Sequence, residues 1–93
     1  KSRDSIKAYS RAISIDPEYI AAYYNRGNAY SKIAKDDLAL KDLNKAIELD
    51  NNFYQAYYNR GSIYNRLGKS QLAKKDLNKA KKLAKEEIEK SKN

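Results

Sequence analysis

The sequence contains no cysteine and no histidine. The absence of cysteine excludes disulfides, thiolate metal sites and a cysteine nucleophile. Without histidine, the commonest general base, the Ser-His-Asp arrangement and most transition-metal sites are excluded as well. A Gly-rich phosphate-binding loop is also missing. We therefore expect no catalytic residue, no cofactor and no metal, and the sequence does not predict an enzyme.

Long apolar runs are missing too. No stretch of the 93 residues approaches the ~20 apolar residues of a membrane span, and no signal peptide is visible. The chain begins at Lys1, inside the motif described below, so we expect it to be a fragment of a longer protein. Its cellular location is therefore unknown, with the cytoplasm favoured, and we expect no membrane partner.

Charge is abundant and mostly positive. Twenty basic and 12 acidic residues give a net charge of +8, which favours anionic partners. A mean hydropathy of -0.98 with 34% charged residues is typical of disordered chains. The nine tyrosines and a regular apolar pattern indicate a folded domain instead.

The six letters AYYNRG occur at residues 22–27 and again at 56–61, 34 positions later. Shifting the sequence by 34 aligns residues 20–53 with 54–87, and 17 of these 34 pairs are identical. A partial third copy precedes them in residues 1–19. A period of this length indicates stacked helical or strand units, each of which cannot bury its apolar face alone. We expect residues 1–93 to form one domain of such units.

Within each copy the pattern has the period of a helix. Tyr23, Arg26, Gly27 and Tyr30 stand at i, i+3, i+4 and i+7. Turn-forming residues separate the helical runs, and no alternating pattern typical of strands competes. The sequence therefore predicts an all-α chain with helices at about 3–15, 20–33, 37–49, 54–67 and 70–90.

The ends of these helices carry their own signals. Either Asp36 or Asp37, and also Ser70, are expected to be N-caps. The last helix lacks the turn residues that end the earlier copies, so we expect it to pass residue 83 without a break. Because terminal units need a polar outer face, residues 70–93 are interpreted as an extended capping helix.

The pattern resembles the tetratricopeptide repeat, a 34-residue helix–turn–helix unit. An aromatic residue is followed by Gly four positions on and by Tyr three further, and small, large and small residues follow in the second helix. The positions that match are Tyr23, Gly27, Tyr30, Ala39, Leu43 and Ala46 in one copy and Tyr57, Gly61, Tyr64, Ala73, Leu77 and Ala80 in the next. The resemblance implies a right-handed superhelical array of antiparallel helix hairpins. Residues 1–19 would be the second half of a truncated unit.

Several departures from the family pattern are visible. Arg26 and Arg60 replace a usual Leu, and Asn51 and Lys85 replace closing prolines. Each copy also carries an Asp in its second helix. We expect Arg–Asp pairs between helices, bidentate if the geometry allows. We also expect the two motif glycines to let paired helices approach closely, and the motif tyrosines to pack between hairpins rather than to stack on a ligand.

In this family the first helices of successive units line a concave groove. The resemblance assigns eight residues to that groove: Tyr24, Asn25, Asn28, Lys32, Tyr58, Asn59, Ser62 and Arg66. An Asn amide offers both a donor and an acceptor to a peptide backbone. We therefore expect a protein–protein interaction scaffold that binds an extended, acidic peptide.

Some family members hold the C-terminal carboxylate of the chaperones Hsp70 and Hsp90. Asn25, Asn28 and Asn59 match that carboxylate clamp, whereas Tyr24 and Tyr58 stand where it would have Lys. A third complete repeat is also missing. The resemblance therefore predicts a partial clamp and leaves a chaperone association open.

Two alternatives remain. The Lys-rich segment 69–93 holds nine Lys and four acids and could bind nucleic acid or an acidic protein through charge. Nucleic acid is the less favoured partner, because no aromatic residue or Arg is interleaved with these lysines. The truncated first helix, with Ile6, Tyr9 and Ile13 incompletely covered, could instead fray or mediate self-association.

Overall fold

The computed structural model describes residues 2–92, which form five α-helices joined by short turns. No strand occurs in this range. The helices are α1 (Ser2–Ile15), α2 (Ile20–Lys32), α3 (Asp36–Leu49), α4 (Tyr54–Arg66) and α5 (Ser70–Ser91). Helices α2 and α3 form one antiparallel hairpin, called unit 1, and α4 and α5 form unit 2, while α1 packs on α2. The predicted all-α solenoid is confirmed, and each helix boundary lies within one residue of its prediction.

The two motif glycines lie where paired helices touch. A Cβ atom added to Gly27 would lie 3.2 Å from the carbonyl oxygen of Ala39. One added to Gly61 would lie 3.2 Å from the carbonyl oxygen of Ala73 and 3.0 Å from Cγ of Leu77. A side chain at either position would therefore push the second helix of the hairpin away. The predicted close approach is confirmed in both units.

A bidentate ion pair joins the helices of each hairpin. Nε and Nη2 of Arg26 donate to the two carboxylate oxygens of Asp42, both at 2.7 Å. Arg60 and Asp76 repeat this geometry, again at 2.7 Å. The carboxylates are buried, with Asp42 3% and Asp76 4% exposed. The hydrogen bond to each carboxylate raises the pKa of the arginine above its usual value, although desolvation opposes the shift. The predicted pairs are confirmed, and they are more buried than surface salt bridges.

The third guanidinium nitrogen of each arginine reaches the preceding helix. Nη1 of Arg26 donates to Oγ of Ser10 on α1 at 3.1 Å. Nη1 of Arg60 donates to Oδ1 of Asn44 on α3 at 2.9 Å. Each arginine therefore links three consecutive helices. The polar residue at the usual Leu position connects neighbouring units as well as the helices of one hairpin.

The turns between units are closed by side chains. Oδ1 of Asp50 accepts a hydrogen bond from the backbone N–H of Asn52 at 3.0 Å, which is an Asx-turn. The buried Tyr57 then donates its hydroxyl to the carbonyl of Asn51 at 3.1 Å. The preceding inter-unit turn has the same two contacts. The turn therefore forms with Asn51 at the usual proline position.

The turns inside the hairpins use the backbone instead. Ala34 and Gly68 adopt left-handed conformations, with φ of 60° and 78°. The next N–H, of Lys35 or Lys69, donates to the carbonyl five residues earlier at 2.9 and 2.8 Å, as in a Schellman motif. Each lysine is also the N-cap of the following helix. The prediction of a side-chain N-cap is therefore wrong, because the helices start one residue early and already contain Asp36, Asp37 and Ser70.

The two ends of the array differ. Helix α1 has no buried residue, and its apolar residues Ile6, Tyr9 and Ile13 are half-buried. At the other end α5 continues to Ser91 without a break. Leu83 is buried near the end of the core, whereas Ile88 is 59% exposed. None of the helices within residues 2–92 has the length and apolar character needed to cross a membrane.

Candidate functional site

The eight side chains predicted to line the groove lie on α2 and α4, but the structure divides them into three groups. Asn25, Asn28 and Lys32 line a polar recess of about 320 Å³ between α1 and α2. Its other walls are polar residues of α1 and one alanine of α2. Nothing in the sequence analysis assigned α1 a role there. The i, i+3, i+7 spacing of Ser2, Ser5 and Tyr9 was the available signal, since it places them on one helix face.

A second group lines an apolar cleft of about 690 Å³ between α4 and α5. Tyr24, Tyr58 and Asn59 belong to it. The remaining walls come from the start of α4 and the middle of α5: Tyr54, Gln55, Leu77, Ala80, Lys81 and Ala84. The α5 residues were not predicted to be part of any site. Leu77 and Ala80 correspond to the core residues Leu43 and Ala46 of unit 1, so the repeat pattern predicts packing for them rather than a site.

Asn59 connects the two groups. Its Nδ2 donates to the hydroxyl of Tyr24 at 3.1 Å and to Oδ1 of Asn28 at 2.8 Å. Both amide hydrogens are therefore used within the protein, and Oδ1 of Asn59 accepts no hydrogen bond from residues 2–92. Asn25 differs, because its side chain makes no hydrogen bond to any described residue. The two equivalent asparagines thus offer different chemistry: Asn25 presents a complete amide, and Asn59 presents an acceptor.

Ser62 and Arg66 line neither the recess nor the cleft. The hydroxyl of Ser62 donates to the carbonyl of Tyr58 at 3.1 Å. The guanidinium of Arg66 forms an ion pair with Asp36 and a hydrogen bond of 3.1 Å to Ser31. Its charge is therefore compensated within the protein. The sequence analysis missed this pair because the partners are 30 residues apart in different units.

The electrostatics of the surface are set by lysines. Lys32 is exposed at the edge of the polar recess, and no carboxylate lies within salt-bridge distance of it in the part of the chain that the structure describes. Lys45 on α3 is different, because a hydrogen bond to Glu48 raises its pKa. The recess combines the positive charge of Lys32 with the amide donors and acceptors of Asn25 and Asn28. Such a set can bind a carboxylate or a peptide group by hydrogen bonds and charge.

Comparisons with known proteins agree with this architecture. A family model described as TPR repeat matches residues 3–33, and models described as tetratricopeptide repeat match residues 20–53 and 54–87. Among solved structures, the crystal structure of MamA aligns with a TM-score of 0.90 at 28% identity. The alignment covers 95% of this chain and 52% of MamA. The chain thus spans about half of that protein.

Two other similar structures contain peptides or chaperone complexes. The second TPR of Spaghetti (RPAP3) bound to the HSP90 peptide SRMEEVD aligns with a TM-score of 0.86 at 36% identity, covering 89% of this chain and 77% of that one. The TPR2B domain of yeast Sti1, in a pHsp70 complex, aligns with a TM-score of 0.87 at 32% identity, covering 91% and 68%.

A search of curated proteins found no match to this chain. The classification therefore depends on the family models, the solved structures and the helix contacts described above. The glycine contacts and the 34-residue spacing occur in both complete units. The chain belongs to the tetratricopeptide repeat family.

Proposed function

We propose that this chain is a non-catalytic protein-interaction module that binds an extended, acidic segment of a partner protein on its concave surface. The polar recess is the observation that supports the proposal most strongly. Asn25 and Lys32 both line it, two helical turns apart on α2. Residues 1–93 would act as one domain. Residues 70–93 would be its extended capping helix, whose polar outer face keeps the end of the array soluble.

Each polar group has a distinct role in this proposal. Asn25 would donate to a backbone carbonyl and accept from a backbone N–H of the bound segment. Asn59 would only accept, through Oδ1, because its N–H groups are occupied. Asn28 would be held in position by Asn59. Lys32 would pair with a carboxylate of the segment, and this pairing makes an acidic ligand the preferred one.

The chaperone association is a narrower form of the same proposal. Structures similar to this one hold the HSP90 peptide SRMEEVD, and Asn25, Asn28 and Asn59 match the clamp that the family resemblance implies. Tyr24 and Tyr58 replace lysines of that clamp, and the charge of Arg66 is compensated by Asp36. We therefore expect SRMEEVD to bind this chain more weakly than it binds a complete clamp.

The test is a titration of labelled SRMEEVD with the 93-residue chain and its variants. Asn25→Ala and Lys32→Ala should each weaken binding by about tenfold, since each removes a hydrogen bond to a charged or peptide group. Lys41→Ala removes an exposed lysine from α3 outside the groove and should leave the affinity unchanged. Equal effects of Lys32→Ala and Lys41→Ala would show that only general charge attraction is involved.

Folding must be separated from binding in this test. Asn25→Ala should leave helicity and melting nearly intact, because the side chain has no partner among the described residues and Ala favours helix. Asn59→Ala should lower stability by about 1 kcal/mol, because Tyr24 and Asn28 lose a hydrogen bond. If Asn25→Ala unfolds the protein but the remaining folded fraction binds normally, the proposed groove contact is wrong.

The second candidate function is charge-driven binding of nucleic acid or an acidic protein through α5. The lysines of this helix are exposed, and the segment 69–93 has nine Lys against four acids. It is the weaker candidate because no aromatic residue follows Tyr64. A salt titration separates the two functions, since phosphate contacts give a steep salt dependence and groove binding of a peptide gives a shallow one.

A further inference from the structure

The apolar cleft between α4 and α5 is the counterpart of a surface that is covered in unit 1. Moving back 34 residues from Tyr58 and Leu77 leads to Tyr24 and Leu43. Leu43 is 0% exposed and Tyr24 is half-buried, whereas Tyr58 is 57% exposed and Leu77 is only half-buried. The residue types are identical in the two units. The difference in exposure therefore comes from what packs on them.

In unit 1 the covering element is the helix α4 together with the residue before it. The ring of Phe53 lies 4.7 Å from that of Tyr24, at an angle of 43°. Asn59 donates to the hydroxyl of Tyr24, and Ala56 and Ile63 belong to the same buried cluster. The chain therefore contains a template for a ligand of the cleft. That template is a helix preceded by an aromatic residue, with a small residue three positions further and an aliphatic one ten positions further.

Residues 2–92 do not provide such a helix for unit 2. Ala84 stands at the position of the turn residue Asp50, and Glu87 stands at the position of Phe53. Without the Asx-turn, residues 84–91 continue α5 instead of folding back across α4. Within residues 2–92 the cleft is therefore open, and its apolar walls are presented to solvent.

The charge around the cleft selects the kind of partner. Lys81 is the one charged residue among those that line it. Lys74 and Lys85 stand seven positions before and four after Lys81, which places the three on one edge of α5. A helix with acidic residues on its exposed face would pair with this edge.

A second copy of the chain fits less well. The apolar residues of α1 are not buried, so this helix is the segment of a second copy that could enter the cleft. It carries three basic residues and one acidic residue. Docking α1 in the cleft would therefore bring like charges together at the α5 edge, which costs binding free energy. The whole chain also carries a net charge of +8, so copies of it repel one another at low salt.

From these observations we infer that the cleft is a docking site for an amphipathic helix of a partner protein, with an aromatic anchor residue and an acidic flank. The anchor ring packs on Tyr58 as Phe53 packs on Tyr24. The acidic flank pairs with Lys81 and its neighbours on α5. This site is distinct in chemistry from the polar recess, which takes an extended segment, and it does not depend on the function proposed above.

The probe is a peptide with the sequence of residues 51–67, because that segment covers the equivalent surface of unit 1. It is lactam-bridged, since isolated helices of this length are marginal in water. Three positions that are exposed in α4 are changed to Glu in the acidic probe and to Lys in the basic probe: Gln55, Ser62 and Arg66. A scrambled acidic peptide is the composition control. Binding to the 93-residue chain is measured by fluorescence anisotropy, and the contact surface is mapped by amide chemical shifts.

The acidic probe should bind saturably, more tightly than the basic or scrambled probes, and should shift amides in α4 and α5. Tyr58→Ala should weaken it by about tenfold or more, as for a buried aromatic anchor. Tyr19→Ala removes another exposed tyrosine, 49% exposed and outside the cleft, and should have no effect. Lys81→Glu should reverse the preference between acidic and basic probes. Asn25→Ala should leave the binding of both probes unchanged, which separates this site from the polar recess.

Several results would overturn the inference. One is the absence of saturable binding by the acidic probe, and another is equal affinity for the acidic and basic probes. A third is an affinity that Tyr58→Ala leaves within twofold while its melting curve is unchanged. If sedimentation shows a dimer of the wild type that Tyr58→Ala dissolves, the cleft binds a second copy, and the proposed partner is wrong.

Discussion

Removal of Arg60 should have a large effect because of what it leaves behind. In Arg60→Leu the carboxylate of Asp76 stays in a site where the residue is 4% exposed. The two hydrogen bonds from Arg60 are the only ones that this carboxylate accepts from side chains within residues 2–92. Breaking a buried pair by removing one partner typically costs ~3–5 kcal/mol. A chain of this size is expected to have a stability of ~5–14 kcal/mol in total, so the loss is a large fraction of it.

A double-mutant cycle identifies the cause of this loss. Asp76→Leu should cost less than Arg60→Leu, because the side chain of Arg60 is already 20% exposed and can turn its charge toward water. The double variant Arg60→Leu/Asp76→Leu removes both charges, and we expect it to be close to the wild type or more stable. The coupling free energy of the cycle should therefore be at least ~3–5 kcal/mol in magnitude, because the double variant does not carry the loss that Arg60→Leu carries alone.

The free energies are measured by urea unfolding followed by far-UV circular dichroism. Arg66→Leu is the matched control, since Arg66 also pairs with an aspartate but its side chain is 50% exposed. We expect it to cost ~0–1 kcal/mol. If Arg60→Leu costs no more than Arg66→Leu, the buried carboxylate is not stabilised by its arginine, and the argument from burial is wrong.

Gly61→Leu should destabilise the chain by ~1–3 kcal/mol or more through overpacking, because even a Cβ would lie 3.0 Å from Cγ of Leu77; an unchanged melting curve would contradict this contact. Ala34→Gly should stabilise by about 1 kcal/mol and Gly68→Ala should destabilise by a similar amount, since both positions are left-handed; opposite signs in urea unfolding would refute the turn assignment. Amides at 84–87 should exchange more slowly than those at 90–92, because α5 is continuous to Ser91. Helix α1 should exchange faster than α3 or mediate self-association, whereas a monomer at high concentration with well-protected α1 amides would contradict both.

The sequence by itself determined the number, type and extent of the helices. The 34-residue spacing and the helical period of the apolar positions are local properties, so they can be counted along the chain. The close approach at Gly27 and Gly61 and the Arg–Asp pairs were also predictable. In both cases the same residue types recur at equivalent positions of the two units. Such a recurrence indicates that the same contact forms in each unit.

The N-caps could not be predicted from residue preference. Asp and Ser are common caps, and they stand at the expected positions. The left-handed residues Ala34 and Gly68 fix the backbone path of each turn, however, and the helix that follows starts one residue early. Alanine rarely adopts the left-handed conformation, so the residue type at position 34 gave no reason to expect a Schellman motif there.

The division of the groove was decided only by the tertiary structure. Asn25 and Asn59 have the same neighbours in sequence, yet Asn59 lies on a helix that is preceded by another unit and donates to Tyr24 and Asn28. Arg66 finds Asp36 across the same boundary. These contacts join residues 30 to 35 positions apart, and the sequence alone does not show which polar side chains come within hydrogen-bond distance of each other. Exposure of the cleft at Tyr58 has the same origin. It depends on a covering helix that unit 1 receives from unit 2. Unit 2 receives no such helix from residues 2–92, because α5 continues as a helix where the earlier copy turns.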